Sequence, residues 1–157
     1  MRIVVTALAG SWLLSACGVR AGERLPSFAA RTASGAEVSA AALRGHATIV
    51  DLWSPGCIAC VGELAALQRL QDDLGPRGLR VIALYDRGGP RDGWLVGDGA
   101  GARFPIARIG GGLMRRLGGW EFPTTLFVGK DGRVRTVVHG DPGEGRLRAM
   151  TLALLSP

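Results

Sequence analysis

Cysteine and histidine are scarce in this chain, with three of the first and two of the second among 157 residues. A structural zinc site takes about four thiolate or imidazole ligands. Cys57 and Cys60 have no third cysteine near them, and His46 and His139 each stand alone, so a metal site has little to build on. A framework of several structural disulfides is out of reach for the same reason. Long apolar runs are missing too. Ile3 to Leu14 falls short of the roughly 20 residues that span a bilayer. No segment repeats and none is of low complexity. The net charge is +6, carried almost entirely by scattered arginines, and aromatic residues make up only 6%. With no basic stripe and no interleaved aromatics, a nucleic-acid partner has little support. The excess charge reads as an ordinary solvated surface.

What is present centres on one stretch, Asp51-Leu-Trp-Ser-Pro-Gly-Cys-Ile-Ala-Cys-Val-Gly-Glu63. The β-branched run Ala47-Thr-Ile-Val50 leads into it as a buried strand, and Ser54-Pro55-Gly56 ends that strand. From Ile58 the apolar spacing turns helical, through Val61, Leu64, Leu67 and Leu70 to Leu74, before Gly75-Pro76 stops it. Cys57 therefore falls at a helix N-terminus, where unpaired N–H groups and the macrodipole favour an anion. Such a position in a Cys-x-x-Cys motif lowers a thiol pKa from about 8.5 to roughly 3.5–7.5. Cys60, one turn on, can resolve a mixed disulfide. Dithiol redox chemistry is the reading this context favours; a zinc half-site or an inert structural disulfide is the bland alternative.

Cys60, Glu63, Leu67, Leu70 and Leu74 share one helix face, so Glu63 is the one charge on an apolar stripe. Desolvation there raises a carboxyl pKa and suits it to exchange protons near neutrality. The other possibility is a rotated helix with Glu63 in solvent. Asp51 interrupts a strand that should be buried on both faces, where an unpaired carboxylate is costly. It reads either as a second buried acid beneath the cysteines or as an exposed strand-end residue.

At the N-terminus, residues 1–17 have the form of an export signal closing on Leu14-Ser-Ala-Cys-Gly18, which resembles a bacterial lipobox with Cys17 as the lipidated residue. An ordinary secretory signal is the alternative. Residues 18–24 suit a short polar tether, and residues 25–157 form one domain. Further elements follow from pattern: a short helix from Ser39 to Leu43, a strand at Leu79–Leu84, and a weak helix around Asp92–Val96. Gly111–Leu117 reads as a short helix, Thr125–Val128 and Val134–Val138 as an antiparallel hairpin, and Glu144–Leu155 as a terminal helix. Strand, helix, strand of this length is a right-handed parallel crossover.

The Val-Asp-Leu-Trp-x3-Cys-x-x-Cys stretch, with Phe122-Pro-Thr-Thr125 far downstream, resembles the thioredoxin superfamily and, within it, the periplasmic TlpA/ResA-like branch. Gly35-Ala-Glu-Val38, Leu43-Arg-Gly45 and Thr125-Leu-Phe-Val-Gly-Lys-Asp-Gly-Arg-Val134 support the likeness, which covers about Leu25 onward. Two positions depart from it: Gly56 replaces the tryptophan usual before the first cysteine, and Ile58-Ala59 lies between the cysteines. The resemblance implies an α/β thioredoxin-like fold, a mixed central sheet with helices on both faces. It implies a cis Pro123 and a substrate groove at Trp53, Phe122, Pro123 and Thr124. It also places Glu63 beside Cys60 and Asp51 beneath the motif as proton carriers.

The expected function is an exported, lipid-anchored, periplasmic thiol:disulfide oxidoreductase that needs no cofactor. As a reductant it would serve haem-attachment or copper-site cysteines, drawing on an upstream membrane electron donor. A copper-binding assembly factor with His139 as third ligand, or a disulfide-introducing oxidant, are the rivals. A peroxidase would need a Pro-x3-Thr-x2-Cys loop, which is missing.

Overall fold

A computed structural model describes residues 18–89 and 91–156. The proposed signal segment and Cys17 lie outside the described residues. At the centre is a five-stranded sheet in the order β5-β4-β3-β6-β7. Its strands are β3 (Ala47–Trp53), β4 (Leu79–Tyr85), β5 (Ile106–Arg108), β6 (Thr124–Val128) and β7 (Val134–His139). β3 pairs parallel with β4 and antiparallel with β6, so the sheet is mixed. A small hairpin, β1 (Ala29–Arg31) and β2 (Glu37–Ser39), precedes it. Among the described residues four α-helices complete the order, α1 (Ile58–Leu74), α2 (Asp92–Gly99), α3 (Gly111–Leu117) and α4 (Glu144–Leu155), with a 3-10 turn at Gly75–Arg77 after α1. This is the thioredoxin-like arrangement expected from the sequence.

β3 is buried along its whole length, as a central strand covered on both faces must be. Its alternating side chains feed two cores. Val50 and Leu52 join Leu117, Leu126 and the β1–β2 hairpin on one side. Ile49 and Trp53 join Cys60, Leu64, Leu67 and Phe127 under α1 on the other. α3 ends at Gly118, whose φ of +95° a residue with a Cβ adopts only with strain.

Three expectations change. Residues 40–45 form successive i→i+3 turns, Ala42 N to Ser39 O, Arg44 N to Ala41 O and His46 N to Leu43 O, and not a helix. Ser39 closes β2, so the segment has no length in which to propagate a helix. The second change is that β1, β2 and β5 were not visible in the sequence, because three-residue strands are too short to show a period.

The third concerns Gly18–Arg24, which is a strap docked along β7 and not a free tether. Val19 is buried and its N–H donates to Arg116 O at 2.9 Å. Gly22 N donates to Val134 O, Val134 N to Glu23 O and Leu25 N to Gly132 O. Arg133 Nη1 also reaches Gly22 O at 2.7 Å. A half-exposed sheet edge offers unpaired backbone groups, and the strap takes some of them. Val19→Ala should therefore lower stability by about 1–2 kcal/mol in a denaturant titration, from lost apolar burial; a free tether would leave the midpoint unchanged.

Candidate active site

Cys57 and Cys60 sit where β3 hands over to α1. Cys57 is the N-cap of α1 with extended backbone, and Cys60 begins the second half of the first turn. The two sulfurs are joined as a disulfide, with the Cα atoms 5.3 Å apart. Cys60 N–H points at Cys57 Sγ, 3.2 Å away, so the first turn already aims a donor at that sulfur. Once the bond is reduced, this N–H and the helix dipole favour the Cys57 thiolate. Cys60 is fully buried and Cys57 is partly exposed. Attack from outside thus falls on Cys57, and Cys60 is left to resolve.

The surroundings of Cys57 are open. Gly56 is exposed, and a Cβ built on it would meet nothing within 4 Å. Ile58 is 90% exposed, an apolar side chain standing beside the disulfide. Phe122 is half-buried, and the Arg87 guanidinium lies 5.8 Å over its ring.

Beneath the disulfide lie two acids. Asp51 is fully buried in the middle of β3, and Glu63 is 2% exposed one turn after Cys60. Both solvent-facing alternatives are thereby set aside. Asp51 shares the α1-facing row of β3 with Ile49 and Trp53, by the two-residue period of a strand. Directly across on β6 is Thr125. Its hydroxyl donates to Glu63 Oε1 at 2.5 Å, whereas Glu63 Oε2 and both Asp51 oxygens find no partner among the described residues. Unpartnered buried carboxyls favour the neutral form. Burial pushes Asp51 well above the usual carboxylate range, and nearby Glu63 pushes the same way. Burial also raises Glu63 to about 7, partly offset by the Thr125 hydrogen bond and assisted by the Asp141 carboxylate. The Asp51–Glu63 pair titrates jointly.

Thr125 belongs to the Phe122–Thr125 motif, but its role as the donor to Glu63 was not expected from the sequence. The available signal was a hydroxyl on a fully buried strand, two positions from Phe127 on the α1 face.

The expected groove residues divide. The peptide between Phe122 and Pro123 is cis. Pro123 O accepts from Gly140 N, and the Pro123 side chain is buried. Trp53 is fully buried against Tyr85, ring centroids 5.8 Å apart, so it is core and not groove wall. Thr124 is buried too; its hydroxyl donates to Glu121 O and shares a hydrogen bond with His139 Nδ1. Of the four, only Phe122 presents side-chain surface, because an all-buried strand end has no outward row left to offer. No group of three His, Cys, Asp or Glu side chains is arranged to hold a metal ion among the described residues.

A dithiol at a strand-to-helix junction, over buried acids and beside a cis-proline loop, defines a thioredoxin-like protein. Its class is confirmed by comparison: the AhpC/TSA family model matches residues 21–137, and the chain belongs to that family. Comparison with curated proteins finds no match. Similar folds occur among solved structures. A secreted Mycobacterium tuberculosis disulfide oxidoreductase, described as homologous to the Escherichia coli protein DsbE, is 21% identical with a TM-score of 0.72, covering 81% of this chain and 96% of its own. A thioredoxin-family thiol:disulfide interchange protein from Chlorobium tepidum is 21% identical with a TM-score of 0.75, covering 88% and 97%. The thioredoxin domain of a Bacteroides vulgatus thiol-disulfide oxidoreductase is 16% identical with a TM-score of 0.75, covering 85% and 99%. Family, fold and Cys-x-x-Cys pair together make this chain a thiol:disulfide oxidoreductase of the thioredoxin type.

The raised acids carry a stability signature. A carboxyl whose pKa is higher in the folded than in the unfolded state keeps its proton on folding, so stability falls as pH rises from about 4.5 to about 7. Glu63 alone should cost the disulfide form on the order of 1–3 kcal/mol across that window in denaturant titrations, and Glu63→Gln should remove that share while leaving the loss due to Asp51.

Proposed function

We propose that the chain is an exported, membrane-tethered reductant of protein disulfides. Cys57 attacks a substrate disulfide, and a mixed disulfide forms as the partner's other sulfur leaves as a thiolate. The Cys60 thiolate then attacks Cys57 Sγ, which releases the reduced partner and closes the Cys57–Cys60 disulfide. Asp51 and Glu63 hold and return the protons that the two thiols lose. An upstream membrane dithiol donor would regenerate the enzyme, and haem-attachment or copper-site cysteines fit the substrate class. Export and the Cys17 lipid rest on the leader sequence.

One observation carries the direction: two acids buried beneath the disulfide, three of their four oxygens unpartnered among the described residues. Such a site opposes further negative charge, which holds the thiols protonated and makes the disulfide harder to reduce. Ile58 and Ala59 add no charged or hydrogen-bonding side chain that would stabilise a thiolate. The exposed Ile58 and half-buried Phe122 favour an extended, partly apolar segment around the substrate's cysteines. The copper-factor reading asks His139 to be a third ligand, yet His139 Nδ1 is engaged by Thr124 Oγ1 at 2.9 Å.

Equilibration against glutathione or dithiothreitol should give a potential nearer thioredoxin's roughly −270 mV than DsbA's roughly −120 mV. A value above about −180 mV would make the chain an oxidant or isomerase.

A further inference from the structure

The strap leaves no slack between the domain and whatever precedes it. Gly18 lies against Gly118 so closely that a Cβ on Gly18 would come within 2.4 Å of Gly118 Cα and 3.1 Å of the Trp120 ring. Residues 1–17 therefore join the domain beside Trp120. That indole is half-exposed, and it borders a cleft of about 370 Å³ with Gly18, Arg20, Arg135 and His139.

Charge runs from that place along the strap to the far end of β7, where Arg24 meets Arg133. Arg20 and Arg24 lie in the strap, Arg115 and Arg116 in the last turn of α3 that receives Val19, and Arg133 and Arg135 on β7. All six are exposed, against the carboxylates of Glu23, Glu121 and Asp131. Asp131 pairs with Arg135, and no ion pair engages Arg20, Arg115 or Arg116 among the described residues.

We infer that this face is a membrane-docking surface: Trp120 sits at the headgroup level of an anionic bilayer, with Arg20 of the strap and Arg115 and Arg116 of α3 on the lipid phosphates. The inference extends the anchored reading, because a lipid on Cys17 would be one residue from Gly18 and would bring this face to the bilayer. Half-exposed tryptophan suits the membrane–water boundary, and clustered arginine is attracted to an anionic leaflet within a Debye length.

The sheet register then places the chemistry. His139 of the cleft pairs with Thr124, and Thr124 with Leu52, so the cleft lies two strand spacings, roughly 10 Å, from the end of β3. Cys57 follows that strand end. The dithiol is thus held at a fixed place near the bilayer and serves partner cysteines that lie close to the membrane surface.

The test uses the mature chain purified from membranes and reconstituted into phosphatidylcholine vesicles with or without phosphatidylglycerol, with brominated acyl chains as quencher of indole fluorescence. With phosphatidylglycerol present, a quenched component should appear that Trp120→Phe lacks. Arg115→Gln/Arg116→Gln or high salt should weaken it, and phosphatidylcholine alone should reduce it. Identical quenching in the wild type and Trp120→Phe would overturn the inference. So would quenching indifferent to the arginines, or Trp120 shielded in native membranes but unquenched in pure lipid, which would give the face to a protein partner. The mass of the Cys17 peptide, read on the same sample, separates the two ideas. Lipidated Cys17 with unquenched Trp120 overturns the docking face and leaves the anchor standing. Unmodified Cys17 with quenched Trp120 does the reverse.

Discussion

Two carboxyl groups without enough hydrogen-bond donors, sealed under a disulfide, are the constraint on which the rest of this site depends. Burying one unpartnered carboxylate is expensive enough that the group keeps its proton instead. Here burial and the field of Glu63 both act on Asp51, while burial and Asp141 act on Glu63, to which Thr125 donates. The arrangement is tolerated because β3 and α1 are independently well packed: β3 is buried throughout, and Leu64, Leu67, Leu70 and Leu74 seal the helix against it. The site withholds charge from the sulfurs above, while the first turn of α1 offers it, through the Cys60 N–H aimed at Cys57 Sγ. The helix end selects which cysteine attacks. The acids set how readily the pair gives up electrons.

The same layout divides labour across the sheet. One side, with α1 and α4, carries the sulfurs and acids. The other, with α3, the β1–β2 hairpin and the strap, carries the entry of the chain. Both meet at the end of the sheet where β3 stops and β6 begins, and the Pro123 carbonyl takes its hydrogen bond from Gly140 there. Chemistry and attachment at one end give a short reach and little freedom of orientation. That suits a partner presented at a surface better than one captured from bulk solution.

Much of this was legible in the residues. The α1 boundaries match the sequence reading, and β3, β4, β6 and β7 do so to within one to three residues, because long apolar periods bounded by Gly and Pro leave little choice. Glu63 was legible for the same reason: a lone acid on a leucine stripe has one face to lie on. The strap was not. Its glycines and charges read as a linker, and pairing with the edge of β7 leaves no trace in local composition. Trp53 and Thr124 belonged to a familiar motif, but the motif does not say which of its side chains turn inward. The cis bond before Pro123 came from resemblance and not from the residues themselves. Thr125 went unassigned because a hydroxyl on a β-branched residue looks like ordinary strand material until its partner across the sheet is seen.

The central claim is that the buried acids and the dithiol share protons, and the pH dependence of the reduction potential tests it most directly. Two thiols that take up one proton per electron give a slope of about 59 mV per pH unit. Where Cys57 stays ionised the sulfurs alone take up one proton and the slope falls toward about 30 mV, unless an acid beside the thiolate takes up the missing proton and holds it at about 59 mV. The wild type should keep about 59 mV per unit through neutrality, and Glu63→Gln should fall toward about 30 mV per unit. Superimposable slopes for the two proteins would mean that the acids do not sense the redox state of the sulfurs, and the account would fail.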